Sequence, residues 1–266
     1  MSGNFLLKDS VNVCASGGTG RLLRKIQEGI ISKGLIEMYK IEPHLHTKHV
    51  SKCGWLYAEE LAKRYHEAGY SGIAVTDHYN VDTWKYLGID AQTIPDVVPQ
   101  FLDGYEKLKA ACEPYGIVVY RSAELRFYEN DNDYLYYGFD PEILAQPHTI
   151  MDMGIAKFSQ MARAQGGLLI QAHPFRAKCV PVAPMFLDGI EIFNASPRHL
   201  YHNNNDMALA MAEHEGPGFI RTAGSDCHRL EDIGRSGILS ETLPQDTYEL
   251  ADLLRSGSYE LIIPEE

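Results

Sequence analysis

The chain has 266 residues, and its 24 Lys and Arg against 36 Asp and Glu give it a formal net charge of −12. A surface this acidic repels polyanions, which argues against tight non-specific binding of nucleic acid and leaves a nucleotide or short oligonucleotide open only as a substrate. Five scattered cysteines without a CxxC pair argue against a disulfide framework, and no apolar stretch is long enough to span a membrane, so a cytoplasmic location is predicted.

The sequence divides into two predicted parts. Residues 1–37 are predicted to be an N-terminal extension that is flexible or holds a short helix over residues 21–31. Residues 38–266 are predicted to form the main domain, in which short apolar runs typical of buried strands alternate with amphipathic stretches typical of helices. The predicted strands cover residues 39–47, 72–76, 117–120, 134–137, 168–171, 190–193 and 219–223. The predicted helices cover residues 58–68, 99–114, 155–164, 203–215 and 248–255.

Strands that alternate with helices predict parallel βαβ units and an α/β fold. An open doubly wound sheet shows the same alternation, but it gathers its site at one switch point between two strands. Here polar residues follow at least five of the apolar runs, and the carboxyl ends of the strands are where α/β barrels build their active sites. We therefore predict a distorted (β/α)7 TIM-like barrel with an active site at the C-terminal ends of its strands.

Histidine and carboxylate residues stand at those strand ends. His44 and His46 are two residues apart on a predicted strand, so their side chains point to the same face, and neutral imidazole is the commonest metal-binding side chain. The other candidate ligands are His78, Glu124, His173, Asp226 and His228. Imidazole and carboxylate together suit Mn, Zn or Fe. Seven ligands exceed the needs of one ion, and two ions about 4 Å apart can hold a hydroxide and clamp a phosphoryl group.

These residues lie in short motifs that resemble those of the PHP family (polymerase and histidinol phosphatase), in the same order along the chain. The motifs are His44-Leu45-His46-Thr47, Thr76-Asp77-His78, Ala123-Glu124, Ala172-His173-Pro174 and Ser225-Asp226-Cys227-His228. The resemblance covers roughly residues 39–240. It implies a distorted (β/α)7 barrel, two or three divalent metal ions and hydrolysis of a phosphoester. The ligands that it implies are His44, His46 and Asp226 for a first ion, Glu124 as a bridge to a second ion held by His173, and His78 and His228 for a third.

Two positions depart from the family pattern. Lys52 stands eight residues after the first histidine, where many members carry another ligand, and a charged lysine donates hydrogen bonds but does not bind metal. The third site is then empty, or His49 or Cys53 replaces the missing ligand, or Lys52 itself binds the substrate phosphate. A family histidine is also missing near residues 134–138, and Asp133 is the nearest candidate to replace it.

Arg176 completes the predicted catalytic set, which is Glu124, Asp226, Arg176 and Lys52. Its guanidinium is predicted to bind a phosphate as a charged fork, and Arg126 and Arg198 are weaker candidates for the same role. Asp77 is predicted to orient a ligand histidine rather than to bind metal itself.

The sequence leaves three functions open. The first is a metal-dependent phosphoesterase that hydrolyses a small phosphorylated molecule or a nucleotide with a metal-activated hydroxide. The second is an amidohydrolase-like enzyme that cleaves a carbon–nitrogen bond, since such enzymes also place HxH and Asp on a barrel. The third is a degenerate, non-catalytic barrel that binds a phosphorylated ligand, because a fold does not determine a function.

Overall fold

The computed structural model describes residues 37–264, so the predicted extension and its helix lie outside the described residues apart from Glu37. The strands of the described part are β1 Tyr39–Leu45, β2 Tyr70–Val75, β3 His78–Tyr79, β4 Val118–Arg121, β5 Ala123–Leu125, β6 Tyr134–Tyr137, β7 Leu168–Gln171, β8 Gly189–Asn194, β9 Ile220–Gly224, β10 Gly237–Ser240 and β11 Glu260–Ile262. Its α-helices are α1 Ala58–Glu67, α2 Val81–Leu87, α3 Val98–Phe101, α4 Asp103–Cys112, α5 Pro147–Ala164, α6 Asn205–Glu215 and α7 Thr247–Ser256.

The strands form two mixed sheets. One has the order β11-β10-β1-β2-β4, and the other has the order β3-β5-β6-β7-β8-β9. Neighbouring strands β1, β2 and β4 are parallel, as are β7, β8 and β9, but β6 is antiparallel to both β5 and β7. The predicted α/β class is confirmed. The distorted (β/α)7 barrel that we predicted is not seen as a closed barrel in the described residues: their ladders divide between two sheets, and β6 runs antiparallel to its neighbours.

The two sheets meet where β1 lies beside the end of β9. The His46 amide donates to the Cys227 carbonyl at 2.9 Å, and the Cys227 amide donates to the His44 carbonyl at 3.2 Å. Below this contact, the buried carboxylate of Glu42 accepts hydrogen bonds from the amides of both His44 and Ser225, each at 3.0 Å. These bonds bring the segments that carry the first and last sequence motifs side by side.

Helices cover the outer faces of the strands with apolar side chains. In α1, Leu61, Ala62 and Tyr65 form the buried stripe expected of an amphipathic helix, and they pack in one cluster with Ile73 of β2 and with Leu108 of α4. Full burial of each large apolar side chain contributes about 1.5–3 kcal/mol. The apolar cover fixes the strands, and the strands in turn fix the polar residues at their ends.

Two predicted helices differ from the observed ones. The helix predicted over residues 99–114 is divided into α3 and α4, with a 3₁₀ turn following at Glu113–Tyr115. The helix predicted over residues 155–164 is the second half of α5, which bends at Gly154, where the backbone adopts a φ of 70°. That conformation suits glycine, and it divides the helix at the residue before the predicted start.

No helix within residues 37–264 combines the length and the apolar composition needed to cross a membrane. The four cysteines of this part of the chain, Cys53, Cys112, Cys179 and Cys227, are free thiols.

Candidate metal centre

All seven ligands predicted from the motifs converge at the carboxyl ends of the strands. Their donor atoms fall into overlapping groups whose members lie within 4.8 Å of one another. The groups are His44 with His46 and Asp226, His44 with Glu124 and His173, His46 with His78 and His228, and His78 with Glu124 and Asp133. Asp133, the proposed replacement for the missing histidine, is thus placed among the ligands.

Glu124 lies at the centre of this cluster, and its side chain is fully buried. Its Oε1 is 3.3 Å from both His44 Nε2 and His173 Nε2. Its Oε2 is 3.4 Å from His46 Nε2 and 2.7 Å from His78 Nδ1. One carboxylate therefore faces imidazoles on two sides, which is the arrangement of a bridging ligand.

Asp226 provides a second shared oxygen. Its Oδ1 is 3.4 Å from His44 Nε2, 3.3 Å from His46 Nε2 and 3.4 Å from His228 Nδ1. The backbone at Asp226 has a φ of 49°, and that at His173 has a φ of 29°. Such left-handed conformations are strained for residues other than glycine and cluster at functional sites. In these conformations the side chains of the candidate ligands Asp226 and His173 lie in the cluster.

The unpaired atoms of the cluster fit a bound cation. Buried polar atoms normally find a hydrogen-bond partner, and leaving one without a partner costs about 1–3 kcal/mol. Five atoms of the cluster lack one: His44 Nε2, His46 Nε2, His78 Nδ1 and both carboxylate oxygens of Glu124. Ligands bound tetrahedrally at about 2.0–2.1 Å are separated by about 3.3–3.4 Å. The separations of 3.3–3.4 Å around Glu124 and Asp226 match that spacing.

Neighbouring charges of opposite sign stabilise the ionised forms of His44 and Glu124 in the metal-free protein. Burial disfavours a charged His44, but the carboxylates of Glu191 and Asp226 raise its pKa well above the ordinary value. Burial also disfavours a charged Glu124, yet the neighbouring His78 and His44 keep its pKa well below the ordinary range. Glu124 therefore stays ionised. A bound divalent cation would supply the positive charge that the protonated histidines supply in the metal-free protein.

Glu191, in the middle of β8, orients two of the ligand segments. Its Oε1 accepts a hydrogen bond from His44 Nδ1 at 2.9 Å, and its Oε2 accepts one from the His173 amide at 3.0 Å and one from Asn194 Nδ2 at 2.9 Å. The proton on Nδ1 leaves His44 Nε2 free to bind metal. This role of Glu191 was not predicted from the sequence. The available signal was a carboxylate between isoleucines in a strand that is otherwise apolar.

Asp77 acts on the ligands through a turn rather than by direct contact with a histidine ring. Its Oδ1 accepts hydrogen bonds from the Thr47 amide and the Ser51 hydroxyl, both at 2.7 Å. The Ser51 hydroxyl lies 3.4 Å from His46 Nδ1. The predicted orienting role of Asp77 is therefore indirect, through Ser51.

Arginines line the mouth of the cluster. Arg176, Arg126, Arg198 and Arg229 border a cavity of about 380 Å³ that also reaches Asp226. Arg176 donates from Nη2 to Asp226 at 2.7 Å and from Nε to Asn203 at 2.8 Å. Its Nη1 has no hydrogen-bond partner within residues 37–264.

Two of the remaining arginines are held by acidic residues. Arg126 forms a bidentate pair with Asp133, at 2.8 and 2.6 Å. Arg198 contacts both oxygens of Asp232, at 2.6 and 2.7 Å. Asp133 Oδ2 still lies 3.9 Å from His173 Nε2, so its carboxylate faces the cluster while Arg126 holds it.

The three residues considered for the third metal site, which are Lys52, His49 and Cys53, lie in different surroundings. Lys52 is exposed and borders a smaller cavity of about 270 Å³ together with Arg126 and His78. His49 faces away from the ligands, because its Nε2 accepts a hydrogen bond from the Ala58 amide at 3.3 Å. Cys53, in contrast, places its Sγ 3.1 Å from His228 Nε2.

Comparison with known proteins identifies the fold. No protein-family model matches the chain, and no curated protein matches it. A two-domain protein from Bacteroides vulgatus that contains a predicted PHP-like metal-dependent phosphoesterase aligns over 85% of this chain, with a TM-score of 0.62 and 15% identity. The alignment spans 65% of that protein's own length.

Two further solved structures are similar. PsfC from Pseudomonas syringae aligns over 86% of this chain and 92% of its own, with a TM-score of 0.58 and 16% identity. A protein from Bifidobacterium adolescentis, provisionally named a metal-dependent phosphoesterase, aligns over 82% of this chain and 96% of its own, with a TM-score of 0.51 and 14% identity. At these identities the likeness concerns the fold alone.

Proposed function

We propose that this protein is a metal-dependent phosphoesterase of the PHP family. One observation carries the proposal: the buried, unpartnered donor atoms of Glu124, His44 and His46 are spaced as ligands of a divalent cation are. The names of two proteins with a similar fold support the same reaction class.

In this proposal the predicted residues divide between two adjacent ions. His44, His46 and Asp226 would hold the first ion, and Glu124 and His173 would hold the second. Asp133 is the candidate for a further ligand of the second ion. Mn, Zn and Fe all suit such an imidazole and carboxylate set. Bound divalent ions would supply the positive charge that activates a water for attack on phosphorus and neutralises the phosphate oxygens.

The residues of the chain itself bind and orient the substrate. Arg176 offers its unpartnered Nη1 at the mouth, while Asp226 and Asn203 fix the plane of its guanidinium. A guanidinium held in one plane is suited to a phosphate oxygen. Lys52, at the edge of the smaller cavity, is placed to meet a second anionic group of the substrate.

The size and charge of the mouth favour a small phosphorylated molecule or a nucleotide. A cavity of about 380 Å³ with four arginines on its wall attracts an anion, whereas a neutral amide has no need of that charge. This favours a phosphoester over the carbon–nitrogen bond of an amidohydrolase. The convergence of seven candidate ligands argues against a degenerate binding protein. A cytoplasmic location remains our prediction.

The test is turnover by the metal-loaded protein. Chelated protein is loaded with Mn²⁺ or Zn²⁺ and assayed with p-nitrophenyl phosphate, bis(p-nitrophenyl) phosphate and an acylated amine. We expect hydrolysis of a phosphate ester that falls at least 100-fold in Glu124→Gln, while Glu142→Gln, at a remote surface position, retains it. No turnover with either ion would contradict the proposal, and turnover of the acylated amine alone would favour the amidohydrolase.

A further inference from the structure

We propose that Cys53 is a metal ligand, and that its thiolate joins His78 and His228 in a third metal position that selects Zn²⁺ over Mn²⁺. This inference rests on the metal centre of the proposed function. The sequence left four possibilities open at the third site: no ion, a ligand from His49, a ligand from Cys53, or binding of the substrate phosphate by Lys52. The geometry of the site distinguishes among them.

The backbone on both sides of Cys53 holds its side chain at the cluster. Before it, the Ser51 amide donates to the Thr47 carbonyl at 3.0 Å and closes the turn. After it, the Gly54 amide donates to the Ser51 carbonyl at 3.0 Å, and the Trp55 amide donates to the His228 carbonyl at 2.9 Å. A Cβ at Gly54 would lie 2.7 Å from the Thr47 carbonyl oxygen, so the close turn requires glycine. The segment is therefore fixed directly against His228.

His228 presents a free nitrogen to the thiol. Its Nδ1 lies 2.8 Å from the Asp226 carbonyl oxygen, which can only accept, so Nδ1 carries the proton of the neutral ring. Nε2 then has its lone pair free, and it lies 3.1 Å from Cys53 Sγ. His78 is the second imidazole beside the same thiol, because both residues line the same two cavities.

A third imidazole, independent of the cysteine, also faces this position. His46 is fully buried, its Nε2 has no hydrogen-bond partner, and its donor atom lies within 4.8 Å of those of His78 and His228. Its ring stacks on both, with centroids 4.3 Å from His78 and 4.2 Å from His228. The thiol thus lies beside a group of three histidines whose donor atoms are close enough together to hold an ion.

The ligand type determines which ion this position prefers. A tetrahedral zinc with bonds of about 2.3 Å to sulfur and about 2.0–2.1 Å to nitrogen separates those two ligands by about 3.5 Å. The observed 3.1 Å is near that distance. Thiolate is a soft ligand that favours zinc, whereas carboxylates and water favour manganese. The third position should therefore fill with Zn²⁺ and stay empty in protein loaded with Mn²⁺ alone.

Cobalt substitution tests this ligand without an activity assay. Chelated wild-type protein, Cys53→Ser and Cys179→Ser are titrated with Co²⁺, and the near-ultraviolet charge-transfer absorbance of a cobalt–thiolate bond is recorded. Zinc per chain is measured by elemental analysis after gel filtration. Cys179 is the matched control, because its Sγ also lies near a ligand imidazole, 3.8 Å from His173 Nδ1, but on the nitrogen that faces away from Glu124.

We expect the thiolate band in the wild-type protein and in Cys179→Ser. Cys53→Ser should lose the band and bind one zinc fewer per chain. Zinc should also protect Cys53 of the unmodified protein from iodoacetamide, whereas Mn²⁺ should not, and this arm needs no variant to fold. A band that persists in Cys53→Ser, or equal zinc in all three proteins, would overturn the inference. If wild-type protein binds two ions without a thiolate band, only this inference fails; if it binds none, the proposed function fails with it.

Discussion

Glu191 accepts a hydrogen bond from His44 at 2.9 Å, although 147 residues separate the two in the sequence. The second oxygen of the same carboxylate holds the His173 amide. One buried side chain thus fixes a ligand of each of the two proposed ions. Such outer partners set the tautomer and orientation of a metal-binding histidine.

Replacing Glu191 by Gln should weaken metal binding while the ligands themselves remain. The amide cannot accept from His44 with the strength of a carboxylate, so we expect affinity for Zn²⁺ to fall about 10- to 100-fold. Competition with a fluorescent chelator measures this. Glu213→Gln, on the exposed face of α6, is the control, and equal affinities in both variants would contradict the role of Glu191.

Removing the metal should destabilise the fold, because buried donors and like charges are then left without their cation. Ion present at about 100 times its Kd stabilises the native state by about 2.7 kcal/mol. For a domain of this size that corresponds to a rise in Tm of about 5–10 °C. Differential scanning calorimetry of chelated and reloaded protein measures it. A Tm that does not change with ion concentration would count against a binding site here.

Changing Arg176 to Lys should weaken binding of phosphate while keeping the charge. Lysine cannot hold Asp226 and Asn203 and still present a further N–H in a fixed plane. Hydrogen bonds to charged groups contribute about 1.5–3 kcal/mol, so the inhibition constant of inorganic phosphate should rise at least about 10-fold. Arg64→Lys, at an exposed site on α1, should leave it unchanged. An unchanged constant in Arg176→Lys would show that this guanidinium does not meet the phosphate.

The two thiols near the cluster, the exposed Cys53 and the half-buried Cys179, should differ in the pH dependence of their alkylation. Burial alone would raise the pKa of Cys53, but His78 and His228 lower it to about 6, whereas burial raises the pKa of Cys179 to about 11. The thiolate is the reactive form. In metal-free protein, alkylation of Cys53 should therefore rise through about pH 6 and level off near neutrality, while Cys179 stays slow.

Peptide mapping by mass spectrometry follows both thiols in the same sample. A Cys53 rate that still increases tenfold per pH unit between pH 7 and 9 would show that the neighbouring imidazoles do not stabilise its thiolate.

The sequence predicted seven of the eleven strands of the described part and the side chains that converge at their ends, and for the same reason. Each of the seven predicted strands is present, because a buried strand needs a continuous apolar run. The candidate ligands follow those runs closely, so strand ends and residue types together predicted which side chains the structure brings together. The reversal of β6 was not predictable, since Tyr134–Tyr137 has the same pattern whichever way the strand runs.

Other features depend on contacts that the sequence does not contain. The seven-residue helix α2 is too short for a clear period, and it forms because Asn80 caps its start and Gly88 ends it. The strand β10 pairs with β1, and β11 pairs with β10 at the edge of the sheet. The support of Glu191 for His44 requires knowing that β8 and β1 face each other.

Anomalous diffraction from crystals grown with Mn²⁺ or Zn²⁺ tests the central claim most directly. We expect two peaks about 3.5–4 Å apart, one on either side of the Glu124 carboxylate. One peak should lie within binding distance of His44, His46 and Asp226, and the other should lie beside His173. The absence of any peak within binding distance of Glu124, in protein shown by elemental analysis to contain the metal, would contradict it.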